Sequence, residues 1–155
     1  MRTLFCGLVL AFSCLTMRAQ TAGDSIKMTI DNLFAAVRAS DSAALMACFT
    51  PDAILQTIVK DKEGNLNVHS VGVASFVSMV GNLPKGAGDE RIQYDMIKID
   101  VPLATVWTPY LFYYRGKFSH CGVNSFQLVR LDTGWKVQYI IDTRRKDNCI
   151  GEKGK

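Results

Sequence analysis

The stretch GKFSHCGVNSFQLVRLDTGWKVQYIIDTRR, residues 116–145, decides the fold. It contains two long runs in which apolar and polar residues alternate, and the turn-forming segment LDTG separates them. This pattern predicts a β-hairpin with strands at Phe118–Leu131 and Trp135–Arg145. The first strand begins with polar residues and the second ends on Asp-Thr-Arg-Arg, so the polar residues of the hairpin gather at its open end.

Further β-structure precedes the hairpin. Strands are predicted at Arg91–Asp100 and Leu103–Tyr114, and an Arg-Gly pair is suited to connect the second of them to the hairpin. Pro109 lies inside the second strand and is expected to force an irregularity or an edge position there. Earlier in the chain, the segments AILQTIVK and LNVHSV on either side of DKEGN predict another pair of strands.

Helices are predicted only in the part of the chain before Arg91. With Asp24 as the N-cap, apolar residues at helical spacing form one stripe: Ile26, Ile30, Leu33, Phe34 and Val37. A short second helix is expected after Asp41 and a third after Gly72, whereas the Gly/Pro-rich segment 81–90 is predicted to be a mobile loop. Helices early and long strands late predict an α+β domain, with the N-terminal helices packed on a strongly curved antiparallel sheet.

Residues 1–19 have the features of a secretory signal peptide. Arg2 provides a positive start, the apolar region from Leu4 to Leu15 is too short to span a membrane as a helix, and Ala19 suits cleavage. Lipid attachment is the alternative, although the residues before Cys14 fit a lipidation signal poorly. We therefore expect one domain at 20–150 and a basic tail at 151–155, exported to the periplasm or the cell exterior without membrane attachment.

The charge of the chain argues against a nucleic-acid-binding protein. Removing the leader removes Arg2 and Arg18 and no acidic residue, so the net charge falls from +4 to +2. Much of the remaining excess lies at the C-terminal tail, and no basic stripe with interleaved aromatic residues runs along the predicted fold.

Three cysteines remain after the leader, at positions 48, 121 and 149, so at most one intramolecular disulfide can form. The hairpin places Cys121 opposite Arg145 or Lys146, from where a short return of the tail brings Cys149 to it. We therefore expect a Cys121–Cys149 disulfide, with Cys48 a buried free thiol in the second helix. No metal site is expected, because His120 and Cys121 point to opposite faces and Cys149 has no close second ligand.

The segment FTPDA after two helices, together with HCG at residues 120–122 and DTRR at residues 142–145, carries a family resemblance. The chain resembles the nuclear transport factor 2-like (SnoaL-like) superfamily over about residues 24–149, and more narrowly its lumazine-binding branch of small exported bacterial proteins. The resemblance implies a cone-shaped α+β fold with a pocket between sheet and helices, often dimeric through the outer sheet face. It implies no particular reaction, because isomerase-like, dehydratase-like and non-catalytic members share this fold.

Period-two alternation places two polar side chains in the cone. On the first hairpin strand, Phe126 and Leu128 mark the face that points inward, and His120 and Asn124 share that face near the open end. A polar pair in a mostly apolar pocket is what orients a ligand. The alternative is that His120 only bonds a neighbouring strand or loop.

Four more residues are predicted to contact a ligand. Trp107 and Tyr110 belong to an aromatic run that serves either as a stacking platform or as core and dimer interface. Tyr139 is predicted to share an inward face with Trp135, Val137 and Ile141. Arg144 is either part of a charged rim that binds an anion or a member of a strand-end ion pair with Asp142.

The sequence therefore predicts an exported small-molecule-binding domain that uses no cofactor. The first alternative is an isomerase- or dehydratase-like enzyme with His120 as general acid or base, although no Asp–His pair is evident in the predicted interior. The second is an interaction module that forms a homodimer through its outer sheet face and binds no ligand.

Overall fold

A computed structural model describes residues 21–150. The predicted signal peptide and basic tail lie outside the described residues. Three helices precede or interrupt a set of strands, and their bounds are α1 Ala22–Ala39, α2 Ser42–Met46, α3 Val73–Gly81, β1 Phe49–Lys60, β2 Leu66–Gly72, β3 Gly88–Ile92, β4 Met96–Asp100, β5 Leu103–Tyr114, β6 Lys117–Leu131 and β7 Gly134–Thr143.

Helix α1 begins one turn before the predicted cap. Thr21 is the N-cap, and its hydroxyl accepts a hydrogen bond from the backbone N–H of Asp24, whose carboxylate accepts from the N–H of Thr21. The predicted N-cap is therefore wrong: Asp24 is the N3 residue of a capping box whose N-cap is Thr21. The predicted apolar stripe of α1 is confirmed, because all five of its residues are buried against the sheet.

The strands form one curved, unclosed sheet in the order β2-β1-β7-β6-β5-β3, with β4 pairing the far part of β5. All pairs are antiparallel except β1–β7, which is parallel. The sheet is therefore mixed, where the sequence predicted an antiparallel one. No tight turn joins β1 to β7, so chain connection does not dictate their direction, and α3 and the intervening strands supply the crossover that a parallel pair needs.

The segment around residues 81–100 differs from the prediction. The predicted loop ends at Ala87, because Gly88 to Glu90 already belong to β3. The single strand predicted from Arg91 is two strands, β3 and β4, which pair with different parts of β5. This break brings the side chain of Glu90 to the inner face of the sheet.

Two irregularities set which side chains point inward. Strand β7 has an extra residue, Gln138, between the pairs that Val137 and Tyr139 make with β6. An extra residue reverses the alternation of faces beyond it. Strand β6 has a similar irregularity at Ser119, next to the β5–β6 turn.

The core lies between the inner sheet face and the helices. Phe34 of α1 packs edge-on against Phe126 of β6, with ring centroids 6.2 Å apart, and Phe49 packs in the same way against Phe76 of α3. The same layer contains a cavity, which Phe34, Phe76 and Phe126 help to line. Within residues 21–150, no helix is both long and apolar enough to cross a membrane.

Candidate functional site

A cavity of about 420 Å³ lies between the inner sheet face and helices α1 and α3. Its helix side is apolar and includes Leu33, Phe34, Val37, Phe76, Met79, Val80 and Leu83. Its sheet side contains the polar and aromatic groups Thr57, Glu90, Tyr110, Phe112, His120, Asn124, Asp142 and Arg144, next to the apolar side chains of Leu55, Val71, Phe126 and Ile140. The cavity thus has one face for an apolar body and one for polar groups.

Glu90 projects from β3 into the polar side. Asn124 Nδ2 donates a hydrogen bond to Glu90 Oε1 at 2.7 Å, and the same nitrogen lies 3.4 Å from the hydroxyl of Thr108. Burial raises the pKa of Glu90 to about 7, with the negative charge of Asp142 acting in the same direction. Glu90 therefore exists in both protonation states near neutral pH.

Asp142, on β7, is surrounded by donors. Arg144 Nε donates to its Oδ2 at 3.0 Å, and the hydroxyl of Thr57 donates to its Oδ1 at 2.5 Å. The phenol of Tyr110 lies 3.1 Å from Oδ2 and 2.9 Å from the carbonyl oxygen of Thr143. Burial, together with the charges of Asp142 and Glu90, raises the pKa of Tyr110, so this phenol stays protonated.

His120 lies among aromatic rings on β6. Its ring centroid is 5.0 Å from that of Phe112 and 5.8 Å from that of Tyr110, which it meets edge-on. Burial lowers the pKa of His120, and the positive charge of Arg144 lowers it further. The Nδ1 atom pairs with the hydroxyl of Ser119 at 3.0 Å, whereas Nε2 has no hydrogen-bond partner among the described residues. The neutral imidazole thus has one nitrogen available to a ligand.

Gly122 makes this arrangement possible. A Cβ atom at this position would collide with the carbonyl oxygen of Thr143 and press on the ring of Tyr110. The absent side chain lets β7 approach β6 closely, and the phenol of Tyr110 reaches Asp142 through the same space. The position therefore requires glycine for close approach.

A larger depression, of about 670 Å³, lies between α1, α2 and the β6–β7 turn. Its walls include several alanines. The ammonium group of Lys136, which also lines it, already donates a hydrogen bond to the backbone carbonyl of Ala47. It lacks the clustered carboxylates and imidazole of the smaller cavity, which is therefore the better candidate site. Within residues 21–150, no group of three or more His, Cys, Asp or Glu side chains is placed to hold a metal ion.

Solved structures share this arrangement of helices and sheet. A nuclear transport factor 2-like protein of unknown function from Shewanella oneidensis MR-1 matches with a TM-score of 0.62 and 15% identity, over 79% of this chain and 99% of that one. This chain has the nuclear transport factor 2-like fold. A cystatin-like domain from Nostoc punctiforme matches with a TM-score of 0.63 and 14% identity, over 83% of this chain and 80% of that one. A nuclear transport factor 2-like protein of unknown function from Methylobacillus flagellatus KT matches with a TM-score of 0.59 and 18% identity, over 79% of this chain and 90% of that one.

No family model and no curated protein matches the sequence. The predicted fold class is thus confirmed by structural comparison alone, and membership of the lumazine-binding branch stays a prediction. At these identities the neighbours establish the fold and carry no activity over to this chain.

Within this nuclear transport factor 2-like fold, four of the predicted ligand contacts line the cavity: Tyr110, His120, Asn124 and Arg144. The predicted inward face of β6 is confirmed, with Phe126 and Leu128 fully buried and Asn124 nearly so. The ion pair between Arg144 and Asp142 is present as well. Whether these residues bind a ligand stays a prediction.

Two predicted contacts lie on the outer sheet face instead. Trp107 is three residues from the inward-pointing Tyr110 and therefore points outward. The irregularity predicted at Pro109 is present on one side of β5, where β3 gives way to β4 and the register shifts by one residue, whereas the β5–β6 pairing runs through Pro109 unbroken. Tyr139 follows the extra residue of β7, so its side chain points away from the cavity and donates to Gln56 Oε1 at 2.6 Å. The predicted shared face of Trp135, Val137, Tyr139 and Ile141 is therefore wrong beyond Val137.

Sequence reasoning missed Glu90, because it assigned this residue to a loop. The available signal was weak: in GDERI, Gly88, Glu90 and Ile92 fall on one face of a short strand. Asp142 was predicted to lie at the pocket rim or in a strand-end ion pair; it forms that ion pair with Arg144, but it is only 8% exposed and lines the cavity with His120. The interior thus contains carboxylates that the sequence analysis did not place there.

The predicted cysteine chemistry is confirmed. Cys121 and Cys149 form a disulfide with Cα atoms 5.7 Å apart, and Cys121 pairs with Arg145 in an isolated β-bridge, as the hairpin register predicted. Cys48 is a buried free thiol whose pKa is raised by burial, but it follows α2, which ends at Met46, and does not lie in it as predicted. The disulfide attaches the segment after β7 to the strand that carries His120.

Proposed function

We propose that this protein binds a small molecule with a largely apolar body and a polar end. The observation that carries the proposal is the cavity of about 420 Å³, whose polar groups all converge from the sheet side while its helix side is apolar. This volume is within the range of ligand pockets, and mostly apolar walls with a few convergent polar groups are typical of them.

We also propose that the protein works outside the cytoplasm. The Cys121–Cys149 disulfide supports this location, since structural disulfides persist in oxidising compartments. The apolar leader of the sequence supports it independently.

The proposal is tested with prodan, a neutral naphthalene ketone whose fluorescence reports an apolar environment. Replacing His120 by Phe keeps a ring in place and removes its hydrogen bonds, so affinity for the ketone should fall roughly 2- to 10-fold. Fluorescence titration measures this change. Gln127→Ala, on the outer face of the same strand, is the control and should bind prodan like the native protein.

Thermal unfolding of the same variants separates a ligand contact from a structural role. Unchanged prodan affinity for His120→Phe, together with a drop of several degrees in its thermal midpoint, would contradict the proposal. Native mass spectrometry of the protein purified from its host then identifies any ligand that it retains.

Acid–base catalysis by the same residues is the second candidate function. The observation that favours it is Glu90, whose pKa of about 7 suits a general acid or base at neutral pH, in one cavity with the neutral imidazole of His120. Glu90 and His120 both pair in register with Phe112, so its ring separates them. A pH–rate profile that loses one ionisation in Glu90→Gln would support an enzyme; binding without turnover supports a carrier.

A further inference from the structure

Glu90 differs from the other carboxylate of the cavity in having no cation of its own. Asp142 receives hydrogen bonds from Arg144, Thr57 and Tyr110. Glu90 receives a single hydrogen bond from the neutral amide of Asn124, on Oε1. Its Oε2 has no hydrogen-bond partner among residues 21–150. Glu90 is half-buried, and a carboxylate removed this far from bulk water is stabilised either by a proton or by a positive group from elsewhere.

The groups that face Glu90 leave its charge uncompensated. On β7, Arg144 is bonded to Asp142, so these two charges offset each other. Tyr110 on β5 and His120 on β6 are neutral, since the first keeps its phenolic proton and the second has a lowered pKa.

The helices add no charge to the cavity. Helix α3 contains no titratable residue, and α1 lines the cavity with Leu33, Phe34 and Val37. His69 of β2 pairs in register with Thr57 and does not line the cavity. The cavity therefore has a net charge of about −1 when Glu90 is ionised.

Aromatic rings line the same cavity as this carboxylate. Phe112 is the register partner of Glu90 on β5, and the ring of His120 lies tilted against that of Phe112, with centroids 5.0 Å apart. Tyr110 and Tyr114 also line the cavity. Aromatic faces attract cations and do not attract anions, and the attraction is strongest where water is excluded.

We infer that the cavity selects an aliphatic amine, bound as its ammonium ion to Oε2 of Glu90, with the apolar body of the amine against α1 and α3. This inference rests on the proposed function, that the cavity binds a small molecule. An ammonium supplies the charge and the donors that Glu90 lacks. A carboxylate ligand would meet Glu90 and Asp142 with Arg144 already occupied, whereas a neutral ligand brings no charge and would bind best with Glu90 protonated.

The test uses three probes that share one body and differ in charge: 4-phenylbutylamine, 4-phenylbutanol and 4-phenylbutyrate. At pH 8, where Glu90 is mostly ionised, the native protein should bind the amine roughly 10- to 150-fold more tightly than the alcohol, as expected for a charge-assisted hydrogen bond. The carboxylate should bind most weakly. Isothermal titration calorimetry measures all three affinities.

Glu90→Gln keeps an oxygen that can accept from Asn124 and removes the charge. This variant should lose the preference for the amine and still bind the alcohol, whereas Glu63→Gln, in the exposed β1–β2 turn, should keep the preference. Lowering the pH from 8 to 5.5 should weaken amine binding to the native protein, because Glu90 becomes protonated, and should leave Glu90→Gln unchanged.

The outcomes distinguish this inference from the proposed function. If the alcohol or the carboxylate binds the native protein as tightly as the amine, the amine inference is overturned and the cavity still binds small molecules. If Glu90→Gln keeps the amine preference, the ammonium does not bind at Glu90. If none of the three probes binds and prodan also fails to bind, both proposals are wrong.

Discussion

At the scale of single residues, the cavity holds two carboxylates in different electrostatic states. Asp142 is held by a guanidinium, a hydroxyl and a phenol, which stabilise its charge. Glu90 has one neutral donor, and burial favours its protonated form. The same functional group is therefore paired with a guanidinium at one position and has no cationic partner among the described residues at the other.

This difference predicts a pH-dependent stability. The pKa of Glu90 rises from its usual 4.5 to about 7 on folding, so the folded protein binds this proton more tightly than the unfolded chain does. The stabilisation is complete below about pH 4.5 and is lost as the pH rises through 7, by on the order of 3 kcal/mol. Thermal midpoints at pH 5 and pH 8 measure it.

Glu90→Gln should lose this pH dependence, and the exposed Glu63→Gln should keep it. His120 acts in the opposite direction, because its lowered pKa removes stability as the pH falls below 6.5. Because His120 is present in both proteins, its contribution cancels when the pH dependence of Glu90→Gln is subtracted from that of the native protein. Equal pH dependence in the two proteins would show that Glu90 keeps its ordinary pKa.

At the scale of elements, the β6–β7 hairpin positions most of the polar wall. The extra residue Gln138 turns Ile140 and Asp142 inward, and its side-chain amide donates to the carbonyl of Asp52, which fixes the irregularity against β1. Beyond β7, the disulfide between Cys121 and Cys149 closes the hairpin end. The open end of the hairpin is thus restrained on both of its strands.

Opening the disulfide should destabilise the protein without unfolding the sheet. The two cysteines are 28 residues apart, and a loop of this length corresponds to about 3 to 4 kcal/mol in the free energy of unfolding. Urea unfolding with and without reductant measures the loss. A variant with both Cys121 and Cys149 replaced by Ala should equal the reduced native protein and should not respond to reductant. A native protein that is insensitive to reductant would contradict the prediction.

At the scale of the whole molecule, the outer sheet face carries apolar side chains that the described residues leave uncovered. Val68 on β2 is 55% exposed, Ile54 on β1 is 49% exposed and Trp107 on β5 is 40% exposed. Apolar residues at these outward positions are typical of an interaction surface. We propose that this face joins two copies of the chain.

Trp107→Lys tests the dimer, because it places a charge among the exposed apolar side chains of the outer face. Sedimentation equilibrium should find the native protein dimeric and this variant monomeric, or weaker in association by at least about tenfold, as expected when a buried aromatic contact is replaced by a charge. Met46→Lys, an exposed methionine of α2, is the control and should not change the association. A monomeric native protein would exclude this role for the face.

The sequence by itself determined the features that depend on neighbours along the chain. The stripe of α1 follows from helical spacing, and the inward face of β6 follows from strict alternation up to Asn124 and Phe126. The disulfide follows from counting the hairpin register back from its turn. These patterns are local, since each residue's direction is set by that of the residue before it.

Only the tertiary structure decided the chemistry of the cavity. One extra residue on β7 reversed the faces of Tyr139 and Asp142, and nothing in the alternation of the strand marks its position. The inward direction of Glu90 depends on β3 pairing with β5, and the parallel pairing of β1 with β7 brings Thr57 to Asp142. Each of these contacts joins segments far apart in the chain, so its energy depends on the assembled sheet and leaves no periodic signal in the sequence.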